Sequence, residues 1–224
     1  MAEEDDGVRL TGQVREKLVQ TKQAWARAGR LLTGEAADPA LARLPPGQRL
    51  VTDFPVLDLG IQPEVPESAA RLRLDGLVAA PAVLDWTELM ALPRQPFRND
   101  IHCVTQWSRY DNDWDGVPVR TLIERVRPKE EARFVSLESH DGYTTNLAME
   151  DFDREENFLA FAWNGAPLER QHGGPMRLVV PHLYFWKSPK WLRRIEFLAA
   201  DRPGFWEVRG YHNRGDPWQE QRYG

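Results

Sequence analysis

Cysteine is nearly absent from this chain: Cys103 stands alone among 224 residues. One thiol excludes an internal disulfide and a multi-thiolate zinc site, so Cys103 is either a packed small hydrophobe or a reactive group. No apolar run approaches the roughly 20 residues needed to cross a bilayer. Residues 1–7 are acidic, with neither an apolar signal core nor a twin-arginine pair. No membrane partner is therefore expected, and a single cysteine suits a reducing compartment, so the expected location is cytoplasmic. Basic residues are not in excess either. The 29 Lys and Arg face 34 Asp and Glu, a formal net charge of −5, which gives no field for attracting nucleic acid. Internal repeats and low-complexity tracts are missing. What the chain does have is nine tryptophans, with 42% hydrophobic and 28% charged residues, the balance of a soluble globular protein. The length suits one domain of about 150–200 residues plus an extension.

The periodicity predicts a helix over residues 8–33, with Leu10, Val14, Leu18 and Trp25 on one face and Arg15, Glu16, Lys17 and Lys22 on the other. Gly34 ends it, and Leu44-Pro45-Pro46-Gly47 reads as a linker. Two regions are expected: residues 1–47 as a helical arm with its linker, and residues 48–224 as the main domain. In the main domain, residues 71–79 alternate as a half-buried strand turning at Gly76, residues 101–105 read as a strand ending near Cys103, and residues 119–126 read as a helix before Pro128. Residues 87–92, after Asp85, read as a short helix. Further strands are expected over 134–137, 158–163, 177–180 and 194–198. Short strands and helices in no strict alternation predict an α+β fold with mixed sheets rather than a doubly wound parallel sheet.

Two stretches carry chemistry. The first is Ile101-His102-Cys103-Val104-Thr105-Gln106-Trp107-Ser108, followed by Trp114-Asp115-Gly116-Val117-Pro118. A thiolate is a soft donor suited to redox-active metals, and aromatic neighbours keep a site dry. The second is His172-Gly173-Gly174-Pro175-Met176-Arg177, leading to Ser188-Pro189-Lys190. Its glycines let backbone approach a ligand, and arginine with lysine suits phosphate. Each stretch alone is also compatible with an inert core thiol or with solvated surface charge.

Together, and in this order, residues from about 50 to 198 resemble the molybdopterin domain of the sulfite oxidase family. The resemblance implies that Cys103 ligates molybdenum and is the catalytic thiolate, with Trp107 in the cofactor surround. It implies that His172, Arg177, Ser188 and Lys190 hold the pterin phosphate, and that Ser139, Pro55 and Leu57 contact the cofactor. The implied cofactor is molybdenum-molybdopterin without haem. The implied partners are a small-molecule substrate and an unidentified electron-transfer partner. The likeness is nearest to small cytoplasmic sulfite-oxidase-like oxidoreductases, whose tail resembles Pro203-Gly204-Phe205-Trp206 and Tyr211-His212-Asn213-Arg214. Family members carry a metal-facing tyrosine where this chain has Phe161 in Phe161-Ala162-Trp163-Asn164-Gly165, and an arginine five residues after the ligand cysteine, where Ser108 stands here. An anion such as sulfite needs cationic donors to offset its desolvation, so two-electron oxygen-atom transfer on an S- or N-oxide is expected instead. No C-terminal dimerisation domain is expected, and the oligomeric state stays open, a monomer included.

His102 is expected to make a structural hydrogen bond on the strand face opposite Cys103. His140, His182 and His212 are expected in turn, surface or core roles, and Arg214 is either a substrate-side charge or a salt-bridge partner. Two rival readings stand beside the metalloenzyme. One is a cysteine-nucleophile enzyme with His172 as base; the other is a non-catalytic binding module recruiting a partner through the arm.

Overall fold

The computed structural model describes residues 39–224 together with Gln20, Thr21 and Ala24. The chain divides into two units, Met1–Leu44 and Pro45–Gly224. In the first, Gln20, Thr21 and Ala24 are helical and Pro39–Arg43 forms a short 3-10 helix. The rest of the helix expected over 8–33 lies outside the described residues.

The second unit contains, in chain order, β1 (Arg49–Leu50), β2 (Arg71–Gly76), β3 (Ala82–Asp85), β4 (Gln95–His102), β5 (Trp107–Pro118), β6 (Phe134–Ser139), β7 (Thr144–Ala148), β8 (Phe158–Trp163), β9 (Ala166–Pro167), β10 (Arg177–Val179) and β11 (Leu192–Leu198). Three short helices join them: α1 (Trp86–Met90), α2 (Val119–Val126) and α3 (Met149–Phe152). One sheet runs β1-β5-β8-β10, with β4 added on β5 and β9 on β8. The other runs β3-β2-β11-β6-β7. Both are mixed: β1 pairs β5 and β2 pairs β11 in parallel, and the remaining pairs are antiparallel. This is the expected α+β architecture.

Local chemistry explains the elements. In β2, Leu72 and Leu74 are fully buried while Arg71 is exposed, the period-2 pattern of a sheet with one face on the core. Gly76 ends it at φ +87°, and a Cβ there would sit 2.3 Å from the Phe197 carbonyl oxygen, so only glycine admits this close approach to β11. Asp85 accepts from the Glu88 N–H while the Glu88 side chain accepts from the Asp85 N–H, a capping box that starts α1. α2 buries Val119, Leu122 and Val126 on one face, each worth about 1.5–3 kcal/mol. It stops at Arg127, in the left-handed region at φ 54°, just before Pro128.

The longest strand, β5, spans 12 residues and escapes the hydrophobic pattern. It carries Arg109, Asp111, Asn112, Asp113 and Asp115, an unpromising run for a strand. Tertiary pairing overrides propensity. The fully buried Asn112 donates to the carbonyls of Asn99 and Arg109 and accepts from Trp163 Nε1 at 3.2 Å, so the polar residue is satisfied inside the sheet.

Candidate active site: one thiol and two cations around a single cavity

Cys103 follows the last residue of β4 and opens the tight turn to β5. Its N–H donates to the Trp107 carbonyl at 2.8 Å, and its own carbonyl accepts from Gln106 N–H at 3.0 Å. Gln106 sits at φ 69°, an uncommon conformation for a residue with a Cβ. Gln48 Nε2 also donates to the Cys103 carbonyl at 3.1 Å. The turn is thus held from both sides, and it aims the thiol inward, 6% exposed.

The thiol lines a cavity of about 350 Å³, within the usual range for small-molecule sites of roughly 300–1,000 Å³. Seven of the residues singled out from sequence share this wall with it: Pro55, Leu57, Trp107, Ser139, Arg177, Ser188 and Lys190. They come from five separate parts of the chain. His172 does not line the cavity. It lies behind the wall, its ring stacked on Phe54 at 4.1 Å, and its carbonyl accepts from Arg177 Nη1 at 2.9 Å. Burial first, then the Arg177 and Lys190 charges, press the His172 pKa down to about 4, so the ring is neutral.

Arg177 is buried and clips the two halves of the basic turn together, donating to the His172 carbonyl and, at 2.7 Å, to the Ser188 carbonyl. Its guanidinium lies 4.2 Å from the Phe185 ring centroid. Burial lowers its pKa to about 9, which still leaves it charged. Lys190 Nζ donates to the Gln171 carbonyl at 2.7 Å; burial and the neighbouring Arg177 lower its pKa to about 8, against the opposing pull of Asp58 and Asp141. Among the described residues neither cation has a carboxylate within ion-pair distance. Gly173, at φ +107°, sits where a Cβ would come 3.0 Å from Lys190 Cβ and 3.1 Å from Arg177 Cβ, so a glycine is required for the turn to pass between them.

The thiol end of the cavity differs. Burial pushes the Cys103 pKa up, partly offset by hydrogen bonding from Thr105 and Val104, and no charged side chain contributes. Thr105 Oγ1 lies 3.2 Å from the sulfur. Two buried polar atoms on the cavity wall, Trp107 Nε1 and Ser139 Oγ, have no hydrogen-bond partner among the described residues. Trp114, Trp163, Trp186 and Trp191 each place the indole N–H on a protein acceptor. A buried donor left free is costly unless a ligand completes it. Two cations with no direct ion-pair partner, two free hydroxyl or indole donors and one soft thiol fit an anionic, polar cofactor whose metal takes one protein ligand. Among the described residues, no cluster of three or more His, Cys, Asp and Glu offers an alternative metal cage.

Other sequence expectations resolve clearly. His102 Nδ1 pairs with Ser108 Oγ at 2.8 Å, the structural bond anticipated. Arg214 is a salt-bridge partner, its Nε 2.9 Å from the buried Asp151, which also meets His182 Nε2 at 3.1 Å. Cys103 and His172 share no hydrogen bond, which removes the nucleophile–base pair of the thiol-enzyme reading. Phe161 points elsewhere: it lines a separate cleft with Trp86, Met90 and Arg94. Ser108 is fully buried against His102. Neither position faces the thiol, so the comparison of those two residues does not bear on the substrate. Sequence reading overlooked Phe54, whose ring meets Trp107, Trp114, Trp163, His172 and Phe185. It also assigned no role to Trp206 and Tyr211, which the C-terminal tail delivers to the cavity wall. Their signals were an aromatic-rich tail and its likeness to relatives, neither of which pointed to the cavity.

Comparison with known proteins agrees with this geometry. Residues 60–206 match the protein family described as the oxidoreductase molybdopterin binding domain. The chain is 50% identical over 182 residues to the uncharacterized oxidoreductase YuiH of Bacillus subtilis (strain 168), covering 81% of this chain and 92% of that protein. It is 30% identical over 154 residues to the protein-methionine-sulfoxide reductase catalytic subunit MsrP of Ralstonia nicotianae, covering 62% of this chain and 46% of that protein. In fold it resembles the sulfane dehydrogenase SoxCD from Paracoccus pantotrophus, with a TM-score of 0.59 at 24% identity over 70% of this chain and 46% of that one.

Proposed function

Because this chain belongs to the oxidoreductase molybdopterin-binding domain family, with a molybdenum-molybdopterin cofactor, we propose that it reduces a small neutral S- or N-oxide rather than oxidising sulfite. The observation that carries this reading is the division of charge within one cavity. The charged side chains of the wall are Arg177 and Lys190 with Asp58 and Asp141, whereas the wall residues that follow Cys103 in the chain, Val104, Thr105 and Trp107, carry no charge. An anionic substrate brought to Cys103 would lose its hydration with no cationic side chain to replace it. A neutral oxide loses less on leaving water. The relatives named for methionine-sulfoxide reduction support the S-oxide class.

The cofactor, when bound, supplies two-electron oxygen-atom transfer; overall, an oxide takes up two electrons and two protons to give the deoxygenated product and water, with electrons drawn from an external donor. The protein's share is binding, orientation and exclusion of water. Cys103 would give the metal its one protein ligand. Its thiol is protonated when free, so ligation releases a proton, and the Thr105 hydroxyl beside the sulfur favours the thiolate. Arg177 and Lys190 would neutralise the pterin phosphate, with Ser188 beside them. Trp107 Nε1 and Ser139 Oγ would complete their hydrogen bonds on the cofactor's polar edge. Phe54, Phe185 and Trp186 exclude water.

The test is to purify the protein from a host that makes molybdopterin, measure molybdenum by elemental analysis, and screen oxides against a reduced viologen dye. Near-stoichiometric metal with oxide-dependent dye oxidation is the expected result. Sulfite-dependent reduction of an acceptor at rates above those with every oxide would overturn the proposed substrate class.

A further inference from the structure

We propose that residues 53–65 form a strap that swings out to admit the molybdenum-pterin cofactor and packs back over it. The inference concerns cofactor entry and is independent of which substrate is reduced.

The residues that would hold the cofactor are walled in. Cys103, Ser139, Arg177 and Ser188 each keep no more than 6% of their surface exposed, so a pterin reaches them only when part of the wall moves. Most of the wall is fastened. The Cys103 turn is closed by main-chain hydrogen bonds with Gln106 and Trp107. His140 N–H donates to the Trp191 carbonyl at 2.9 Å, and Leu178 N–H donates to the Pro189 carbonyl at 3.1 Å. The tail is tied by Phe205 N–H to the Thr144 carbonyl at 2.8 Å.

Residues 53–65 differ. They lie between β1 and the 3-10 helix Glu67–Ala69 and contain no strand or helix. Phe54, Pro55, Leu57, Asp58 and Leu59 line the cavity. Yet among the described residues no hydrogen bond joins 53–65 to the rest of the chain. The fixed points lie just outside: Val51 N–H donates to the Ser108 carbonyl at 2.9 Å, Arg109 Nε to the Thr52 carbonyl at 3.2 Å, and Ala70 N–H to the Pro66 carbonyl at 3.0 Å.

The segment keeps its hydrogen bonds to itself. Gly60 N–H and Gln62 Nε2 donate to the Asp58 carboxylate at 2.8 Å and 2.7 Å. The tip is therefore a preformed surface loop, and Gly60, at φ +86°, faces open space. The Phe54 ring anchors the inner end, 4.1 Å from the His172 ring and 5.1 Å from that of Trp163.

Opening costs little. It breaks no hydrogen bond to the body, and Leu57 and Ile61 are already 50% and 62% exposed. Segments of this kind open locally, well below the free energy of global unfolding. Closing over a bound cofactor gives Leu57 and Leu59 a surface to cover and shuts out water, as lids do.

The sole thiol serves as reporter. In the cofactor-free, full-length protein, alkylation of Cys103 by iodoacetamide measures how often the wall opens. Phe54→Leu loosens the anchored end and is expected to speed labelling about tenfold. Phe152→Leu, in the core against Phe197, weakens the domain without touching the strap and is expected to leave labelling unchanged. Equal acceleration by both variants, or none by Phe54→Leu, overturns the strap. Thermolysin gives a second measurement. Cleavage between residues 55 and 62 is expected in the cofactor-free protein and is expected to slow about tenfold in the molybdenum-loaded protein. Equal cleavage in the two forms, or resistance in both, overturns closure over the cofactor.

Discussion

Lys187 and Glu207 form an ion pair sealed from solvent: Lys187 Nζ lies 2.6 Å from Glu207 Oε1, with the side chains 0% and 2% exposed. The same carboxylate oxygen accepts from Trp186 Nε1 at 3.0 Å and Thr145 Oγ1 at 2.9 Å. The pair is a strut joining the basic loop to the tail that carries Trp206 and Tyr211. Glu207→Gln strands a buried cation and is expected to destabilise the fold by about 3–5 kcal/mol. Urea denaturation measures this. A double variant, Lys187→Met with Glu207→Gln, is expected to be more stable than Glu207→Gln alone, because it removes the stranded charge.

Cys103→Ser is expected to abolish turnover while the melting temperature of the cofactor-free protein stays within a few degrees of wild type. The substitution is nearly isosteric, and the turn is held by main-chain hydrogen bonds that do not involve the sulfur. Retained oxide reductase activity with molybdenum bound would contradict ligation by this thiol.

Lys190 sets a pH limit on anion binding. Its folded pKa of about 8 lies below the ordinary 10.5, so the unfolded chain holds this proton more tightly than the folded one. Stability of the cofactor-free protein should therefore rise as pH climbs from about 8 towards 10.5, because burying the charge is no longer required. Anion affinity should move the opposite way, full below pH 8 and falling above it. Titration with pyrophosphate at pH 7 and pH 9.5 is expected to show about a tenfold loss, comparable to that of Lys190→Gln at pH 7. A pH-independent affinity would show that Lys190 does not face the anion.

Asp151 anchors the tail from the other side. Burial alone would raise its carboxyl pKa, but hydrogen bonds from His182 and Arg214, with their charges, hold it well below the usual carboxylate range. A depressed carboxyl stabilises the fold above its unfolded pKa of about 4 and loses that contribution as pH falls further. Asp151→Asn is expected to cost about 1–3 kcal/mol at pH 7, allowing for the partial exposure of Arg214. Denaturation at pH 7 and pH 3 should show the gap narrowing in acid.

Arg177 is more than a phosphate ligand. Its links to the His172 and Ser188 carbonyls mean that Arg177→Ala removes a loop clip along with a charge. Metal content and melting temperature are expected to fall together, so Lys190→Gln is the cleaner probe of charge.

Where local chemistry is strong, the chain could be read directly. The α2 boundaries follow from Val119, Leu122 and Val126 and from Pro128 beyond them, and β2 follows from its alternation. Cys103 at a strand end and the His172-to-Lys190 turn were visible as motifs. β5 was not, because its polar residues are satisfied by Asn99, Trp163 and other distant partners that no local window contains. His172 illustrates a subtler limit: its glycine turn was legible, but the direction of its ring was decided by stacking on Phe54.

The residue types were settled by sequence: one soft thiol, a glycine turn bearing two cations, many tryptophans, and a net charge unsuited to nucleic acid. Folding decided who meets whom. Cys103, Ser139, Lys190 and Tyr211 share a wall only because two mixed sheets and a tied-down tail converge. The cavity's division between charged and uncharged wall arises there too, since burial and the lack of a direct ion pair belong to three-dimensional neighbours and to no stretch of chain.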